Sequence, residues 1–303
     1  MPSFSNKKQL KFVITLGQGV FKKNGVSVVV NGVKIPGGKN QITLQGFRAT
    51  ANIQKAGGVQ MGQLQAKIYG VKQSDMQAIT CFQWKPLETV SHHVDVYAVD
   101  GDAQYLVFAG TIVNAWGDYQ SAPDVFLYIK AATAYQQQIT PANPTSYQGA
   151  IDAAVALRQI AEAMGLTFEN NGSSAMMNDI YVANTLTEQA KEIAKAANFG
   201  LYIDDKVMAI TPQYGARTGI IPEISPQSGM VGYPTFDGLG VTVKTLYNPA
   251  ILFGGQMKIV TDIPQAAGVW NVASVTHFLE SEKPNGQWFS VVRGILGDTA
   301  IIR

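Results

Sequence analysis

Cysteine is nearly missing from this chain. Cys81 stands alone, so no disulfide closes within the chain and no cysteine-based zinc site forms without another chain. A solitary cysteine of this kind reads as a small buried hydrophobe. Histidine is almost as scarce, with His92, His93 and His277 making the full set. His92 and His93 are adjacent, and successive side chains on a strand point to opposite faces, so the two do not chelate one ion together. Catalytic zinc sites take three protein ligands, which the pair does not supply. Charge is sparse as well: Asp, Glu, Lys and Arg make up 15% of the residues, against roughly 25% in ordinary soluble domains. With a net charge of +2, the composition lacks the basic excess of a dedicated nucleic-acid binder. No apolar run approaches the roughly 20 residues of a membrane span. The short apolar run near the N-terminus is not followed by a small-residue cleavage site. The expectation is a soluble protein made in the cytoplasm, with no membrane insertion.

What is present is β pattern. The chain has 303 residues, 46% of them apolar, enough for two or three domains with substantial cores. Lys11–Leu16 and Val26–Val30 are apolar strand runs, and Asn31-Gly32 between Val30 and Val33 is a hairpin signal. Ile42–Leu44 and Ala49–Ile53 alternate at period two, and Gly57-Gly58 breaks the chain before Gln63–Tyr69, where Leu64, Ala66 and Ile68 share a face. Val71–Thr80 fits a short helix or a loop. Val94–Tyr97 and Tyr105–Val113 form a strand pair around Asp100-Gly101, and Pro123–Ala132 is one further strand. Strands at this spacing indicate a sandwich or barrel.

The composition then changes. Ile139–Thr145 reads as a Pro-interrupted linker. A helix is expected over Ser146–Met164, with Ser146 as its cap and Gly165 as its stop. Its apolar face is Ala150, Ile151, Ala154, Leu157, Ala161 and Met164. Short strands are expected at Leu166–Glu169 and Asp179–Ala183. Thr185 and Glu188 make a capping box for a second helix whose buried face is Leu186, Ala190, Ile193, Ala194 and Ala197. A hairpin follows, Leu201–Ile203 and Val207–Ile210, turning at Asp204-Asp205. From 217 the pattern returns to β. Gln227–Val260 is punctuated by Gly and Pro, with Val241 and Val243 on one strand face and a second strand from Met257 to Val260. Gly268–His277 and Gln287–Gly294 close the chain as a hairpin around the polar turn Glu280–Gly286.

Motifs for chemistry fall away on inspection. Gly32–Asn40 (GVKIPGGKN) fails the P-loop pattern, with Val33 where the first Gly belongs and Asn40 where Ser or Thr holds magnesium. Asp204-Asp205 lacks the EF-hand frame, and Asp favours turns. A glycosidase needs two acids about 5–10 Å apart in a cleft. Glu162, Glu188 and Glu192 have Lys or Arg nearby, as on solvated helix faces, and Glu280 and Glu282 lie in a turn. Trp116, Trp270, Trp288 and Tyr119 read as packing aromatics of half-buried strands. No residue is assigned a catalytic, cofactor-binding or metal role, and no cofactor is expected.

Four stretches in this order resemble a known family. They are QLQAKIYGV (63–71) with VDVYAVD and YLVFAGTIVNAW (94–116); PDVFLYIKA (123–131); the helix–strand–helix–hairpin unit ending GLYIDDKVMAITP (200–212); and Gln227–Val260 with the closing hairpin 268–294. The chain resembles the baseplate hub proteins of contractile-tailed bacteriophages and, more distantly, the hub part of type VI secretion spikes. The resemblance implies a mainly β fold with an α/β insertion: two tube-type β-barrels plus a small helix–strand domain. On that pattern residues 1–116 form the first barrel, 117–145 begin the second, 146–216 are the insertion, and 217–303 complete the second barrel. It also implies a non-enzymatic homotrimer in the virion tail baseplate, assembled in the host cytoplasm. Such a ring joins the hexameric tail tube protein to the trimeric central spike protein, contacts other baseplate proteins, and passes DNA without specific binding. The alternatives are a tail-associated peptidoglycan hydrolase and a carbohydrate-binding β module.

Overall fold

A computed structural model describes residues 8–17, 21–22, 28–30, 33–35, 38–56, 61–82 and 91–297. Its architecture is mainly β, with four α-helices among the described residues: α1 (Gln73–Ile79), α2 (Tyr135–Ile139), α3 (Ala153–Ala163) and α4 (Leu186–Ala196). Thirteen strands form one large sheet. From one end it runs through Thr235–Asp237, Gly240–Leu246, Trp288–Ile295, Gly268–Ser281, Ala49–Ala56 and Gln63–Tyr69. It continues through Phe126–Ala132, Ala103–Asp118, His93–Asp100 and Gln9–Thr15 to Gln41–Gln45. All of these neighbours pair antiparallel. Gln256–Ile259 adds to the outer half of Gly268–Ser281, and Glu223–Ile224 pairs parallel with it.

Alternation at period two decides which side chains face inward. Leu10, Phe12 and Ile14 are buried along the first strand, and Leu64, Ala66 and Ile68 along Gln63–Tyr69. The sheet curls until Gln9 and Leu10 meet the far end of Gly268–Ser281. There the Leu10 N–H donates to Ser281 Oγ at 3.1 Å, and Gln9 Nε2 donates to Glu282 Oε1 at 2.9 Å. One continuous sheet therefore borders two cores. The first collects Leu10, Phe12, Ile53, Val96, Phe108 and Leu127 and takes Leu279 and Trp288 from the closing hairpin. The second collects Val241, Val243, Met257, Trp270, Val275 and Val292. Gly268–Ser281 serves both, Val275 in one and Leu279 in the other.

A third core lies in the α/β unit. Helix α3 (Ala153–Ala163) buries Ala154, Leu157, Ile160 and Ala161, and helix α4 (Leu186–Ala196) buries Ala190, Ile193 and Ala194. Both pack on a three-stranded sheet ordered Thr167–Asn170, Val207–Pro212, Phe199–Asp204. Gly165 (φ +73°) follows α3 and Asn198 (φ +60°) follows α4 in the left-handed conformation that ends helices. Thr185 Oγ1 accepts from the Glu188 N–H at 3.3 Å, the N-cap half of the expected capping box, while the Thr185 N–H donates to Asn184 Oδ1 and the Glu188 carboxylate pairs with Lys191.

Several expectations need correction. The helix does not begin at Ser146. Ala150–Asp152 pairs with Met176–Asn178 as a strand, and the cap is Asp152, whose Oδ1 accepts from the Ala154 N–H at 2.9 Å. Ser146 belongs to Pro141–Ser146, which pairs with Tyr181–Thr185, so the expected linker is a strand. Both of its prolines sit in a two-stranded sheet, where one backbone edge needs no donor. Val71–Thr80 holds helix α1 (Gln73–Ile79). Apart from these corrections, the strand Phe126–Ala132 is hydrogen-bonded between Gln63–Tyr69 and Ala103–Asp118, and its Leu127, Ile129 and Ala131 pack in the first core. Val28–Val30 and Val33–Ile35 pair antiparallel, while the Asn31-Gly32 turn between them and the Gly57-Gly58 break lie outside the described residues.

Burial sets which substitutions matter. Phe12 is 1% exposed and Phe236 is 52% exposed. Phe12→Ala is expected to cost about 3–5 kcal/mol of unfolding free energy, and Phe236→Ala within about 0.5 kcal/mol, both read by urea denaturation. Equal losses would contradict this placement of the first core.

Candidate functional site

The strand Ala49–Ala56 points Ala49, Ala51 and Ile53 inward, and the same alternation points Lys55 inward. Its side chain is 11% exposed. A buried ammonium needs charged partners, and the turn at the tip of the α/β hairpin supplies them. Lys55 Nζ lies 2.8 Å from Asp204 Oδ1 and 2.5 Å from Asp205 Oδ2. Asp205 takes the left-handed turn position (φ +52°) and accepts the Ala109 N–H at 2.9 Å through its other oxygen. Ala109 follows a register shift between Leu106 and Phe108 in its strand, and its carbonyl accepts from Thr133 Oγ1 at 3.1 Å.

Arg217, on the segment leaving the α/β unit, closes the other side. Its Nη1 reaches Asp204 Oδ2 at 3.2 Å and the Phe253 carbonyl at 3.1 Å. Nε and Nη2 grip Glu169 at 3.1 and 2.8 Å, the fork geometry that arginine makes with carboxylates. This junction therefore ties the first core's strands, the α/β hairpin and the Phe253 loop of the last block together.

Burial works against the Lys55 ammonium, but the charges of Asp204 and Asp205 outweigh it and hold the group above the ordinary lysine range. Burial also opposes ionisation of Asp204, yet Lys55 and then Arg217 keep its carboxyl below the usual range. For Asp205 burial prevails and lifts it above that range. Beside this cluster His277 is buried on the inward face of Gly268–Ser281. Its Nδ1 lies 2.8 Å from Ser290 Oγ, and the Tyr247 ring meets it edge-on at 5.3 Å. Burial first, and the nearby Lys55 charge second, push its pKa down to about 3.

These groups satisfy one another. Lys55 is held as a cation and its lone pair is not offered to an electrophile. Each carboxylate of the Asp204-Asp205 pair already faces a protein cation. Among the described residues no group of three or more His, Cys, Asp or Glu is placed to hold a metal ion. The arrangement locks surfaces together.

The other residues weighed from the sequence are dispersed. His92 is buried and accepts the Gly17 N–H at 3.2 Å, and burial lowers its pKa. His93 points the other way and meets Asp95 at 3.0 Å. Cys81 is half-buried, with its thiol pushed up to about 11 by burial. Glu162 and Glu192 are exposed, and Glu188 pairs with Lys191 at 2.8 Å. Glu280 pairs with Lys283 in the closing turn at 2.8 Å. Trp270 and Trp288 are buried, Trp116 packs on Tyr128 at 4.4 Å between centroids, and Tyr119 is exposed. Asp204-Asp205 does form the expected turn, but its carboxylates anchor the junction, a role the sequence reading did not give them. Lys55 and Arg217 were missed. Lys55 had a signal in the run Ala49-Thr50-Ala51-Asn52-Ile53-Gln54-Lys55, where the inward register lands on a cation.

The chain is thus mainly β, its junction charges engage one another, and its large sheet borders two cores. The comparisons with known proteins narrow this. The family model for baseplate hub gp41 matches residues 27–288, and the chain belongs to that family. Membership makes it a structural protein of a phage tail baseplate. No curated protein matches it in sequence. Among solved structures, the 43 kDa tail protein of prophage MuSo2 from Shewanella oneidensis is similar at TM-score 0.59 and 11% identity. The match covers 94% of this chain and 96% of that one. A tail protein from Neisseria meningitidis MC58 is similar at TM-score 0.59 and 10% identity, with the same coverage of 94% and 96%. A component of the Escherichia coli type VI secretion system, itself similar to the T4 tail proteins gp27 and gp5, matches at TM-score 0.54 and 10% identity. It covers 82% of this chain and 73% of that one. At these identities the likeness establishes the fold.

Two measurements check the junction. Lys55→Met leaves Asp204 and Asp205 facing no lysine, and removing one partner of a buried ion pair costs about 3–5 kcal/mol. Urea unfolding at neutral pH is expected to show that loss, and a change under about 1 kcal/mol would contradict the burial described. The unfolded His277 imidazole takes its proton near pH 6.5 and the folded one near pH 3. Its contribution to stability is whole above 6.5 and is lost as pH falls below it, by about 1.4 kcal/mol per unit. Nitrogen-15 spectra at about pH 5 are expected to show a neutral His277 ring in the folded protein; a protonated ring there refutes the buried environment.

Proposed function

We propose that this chain is a non-enzymatic baseplate hub that forms a trimeric ring, with pseudo-six-fold walls, between the hexameric tail tube and the trimeric central spike. The observation that carries the reading is the pair of cores within one sheet. A subunit with two barrel-like walls supplies two of six positions, and three subunits complete a ring. In this reading the first barrel is built on residues 1–116 together with Phe126–Ala132, the second on 217–303, and 146–216 is the insertion between them. The Lys55 junction fixes how the insertion sits against both walls. The resemblance to the type VI component supports a spike neighbour, since that protein is itself similar to T4 gp27 and gp5.

Ring closure in a cyclic oligomer uses two different patches of each subunit. A sheet ending in an exposed strand offers such a patch, because an unpaired edge accepts another strand. Among the described residues Thr235–Asp237 is the last strand at its end of the sheet, and it is exposed throughout. A lumen that passes DNA must also avoid gripping phosphates, since a strongly basic wall binds them through counterion release. A near-neutral chain suits that role. The contractile tail, the tube and spike partners, and assembly in the host cytoplasm are parts of the same proposal.

Light scattering coupled to size exclusion tests it. The purified chain is expected to run at three times its monomer mass. A monodisperse monomer at high concentration, together with its absence from purified virions, would overturn the hub reading.

A further inference from the structure

We propose that a groove at the seam between the α/β unit and the large sheet receives an extended, mainly apolar peptide strand of a partner protein, with acidic residues at one end. This goes beyond the ring proposed above and does not depend on it. The groove measures ≈ 540 Å³ and runs along Phe199–Ile203, five consecutive residues that all line it. Consecutive lining means that the strand's backbone edge, and not only one face, borders the space. Phe199–Asp204 is the outermost strand of its three-stranded sheet, paired only with Val207–Pro212 among the described residues. In an antiparallel pair alternate residues point N–H and C=O away from the partner. Those groups form a ready template for an added strand.

The side chains around this edge set what fits. Tyr202 meets Phe253 edge-on, with ring centroids 5.4 Å apart. Gly254 backs the same ring so closely that a Cβ there would lie 2.7 Å from Tyr202 Cδ1. The floor is therefore fixed and aromatic. Ala194 on α4 and, from the large sheet and its continuation, Ala56 and Met61 also line it. Such surfaces favour small or branched apolar side chains at alternate positions of the incoming strand. Charge gives the direction. Lys191 and Lys195 rim the groove, and none of its lining residues is acidic. Lys191 is engaged by Glu188, which leaves the exposed Lys195, lining the groove with Asn198 just ahead of the strand, as the cation available to a carboxylate. The opposite end of the strand is Asp204, so an added strand abuts the Lys55 junction.

The test uses the full chain and a short blocked, fluorescein-labelled peptide alternating valine and threonine and ending in aspartates. Anisotropy is expected to show saturable binding, weakened about tenfold by Lys195→Glu. Replacing the aspartates by lysines is expected to reverse that order, with the variant binding better. N-methylation of alternate peptide amides is expected to abolish binding, because it removes the main-chain hydrogen bonds. Hydrogen exchange at those amides of Phe199–Ile203 that point away from Val207–Pro212 is expected to be fast in the free protein and slowed by the peptide. Binding that ignores both charge reversal and N-methylation, or no saturable binding, overturns the proposal. Protection of those outward-pointing amides in the free protein would also overturn it, because the groove is then filled. If Lys195→Glu instead dissociates an oligomer of the wild type, the groove belongs to a second copy and the peptide assignment falls, while the ring reading stands.

Discussion

A lysine ammonium buried among carboxylates is the constraint on which the rest of this structure turns. Taking Lys55, Asp204, Asp205 and Arg217 out of water costs several kcal/mol per ion even after relaxation. The cost is offset only where the geometry is close and the remaining lone pairs are engaged. Here the Ala109 N–H takes the second oxygen of Asp205, and Arg217 takes the second oxygen of Asp204. An apolar seam of equal size would be at least as strong, but it tolerates sliding. An ionic seam holds at a single register, because a shift of one residue turns Lys55 to the opposite face of its strand. Position, more than strength, is what the junction supplies between the α/β unit and the sheet.

That property suits a protein whose task is fit. Low charge density, two cores walled by a single sheet and a saturated ionic cluster all limit reactivity and favour defined surfaces. The strand Gly268–Ser281 shows how the parts are joined. Its inward residues pass from Val275 in the second core, through the buried His277 beside the junction, to Leu279 in the first. Neutral His277 lets this transition occur without adding another buried charge near Lys55.

Much of the fold was legible because strand and helix periods are local. Leu64, Ala66 and Ile68, or Ala190, Ile193 and Ala194, declare their faces within a few residues. Places where two local patterns compete were misread. Ala150 and Ile151 extend the helical periodicity of α3 backwards, yet they pair with Met176–Asn178, and the Asp152 carboxylate sets the true start. Pro141 and Pro144 look like linker residues and occupy a strand of a two-stranded sheet. Strand order was also out of reach. Nothing local in Phe126–Ala132 says that it inserts between Gln63–Tyr69 and Ala103–Asp118. The junction lay furthest beyond the sequence, since Lys55 and Asp205 are far apart in the chain and only folding brings them together. The inward register of Lys55 was the one local clue, and Asp204-Asp205 could be read from composition only as a turn.

Native-state hydrogen exchange on the Lys55→Met variant tests the central role of the junction most directly. If the ion pairs hold the seam, the amides that join Phe199–Asp204 to Val207–Pro212 and those around Ala109 lose protection together, while the interiors of α3 and of the first strand keep theirs. Unchanged protection on both sides of the seam, or an even loss across the whole chain, would show that Lys55 and its carboxylates do not fix these units to one another.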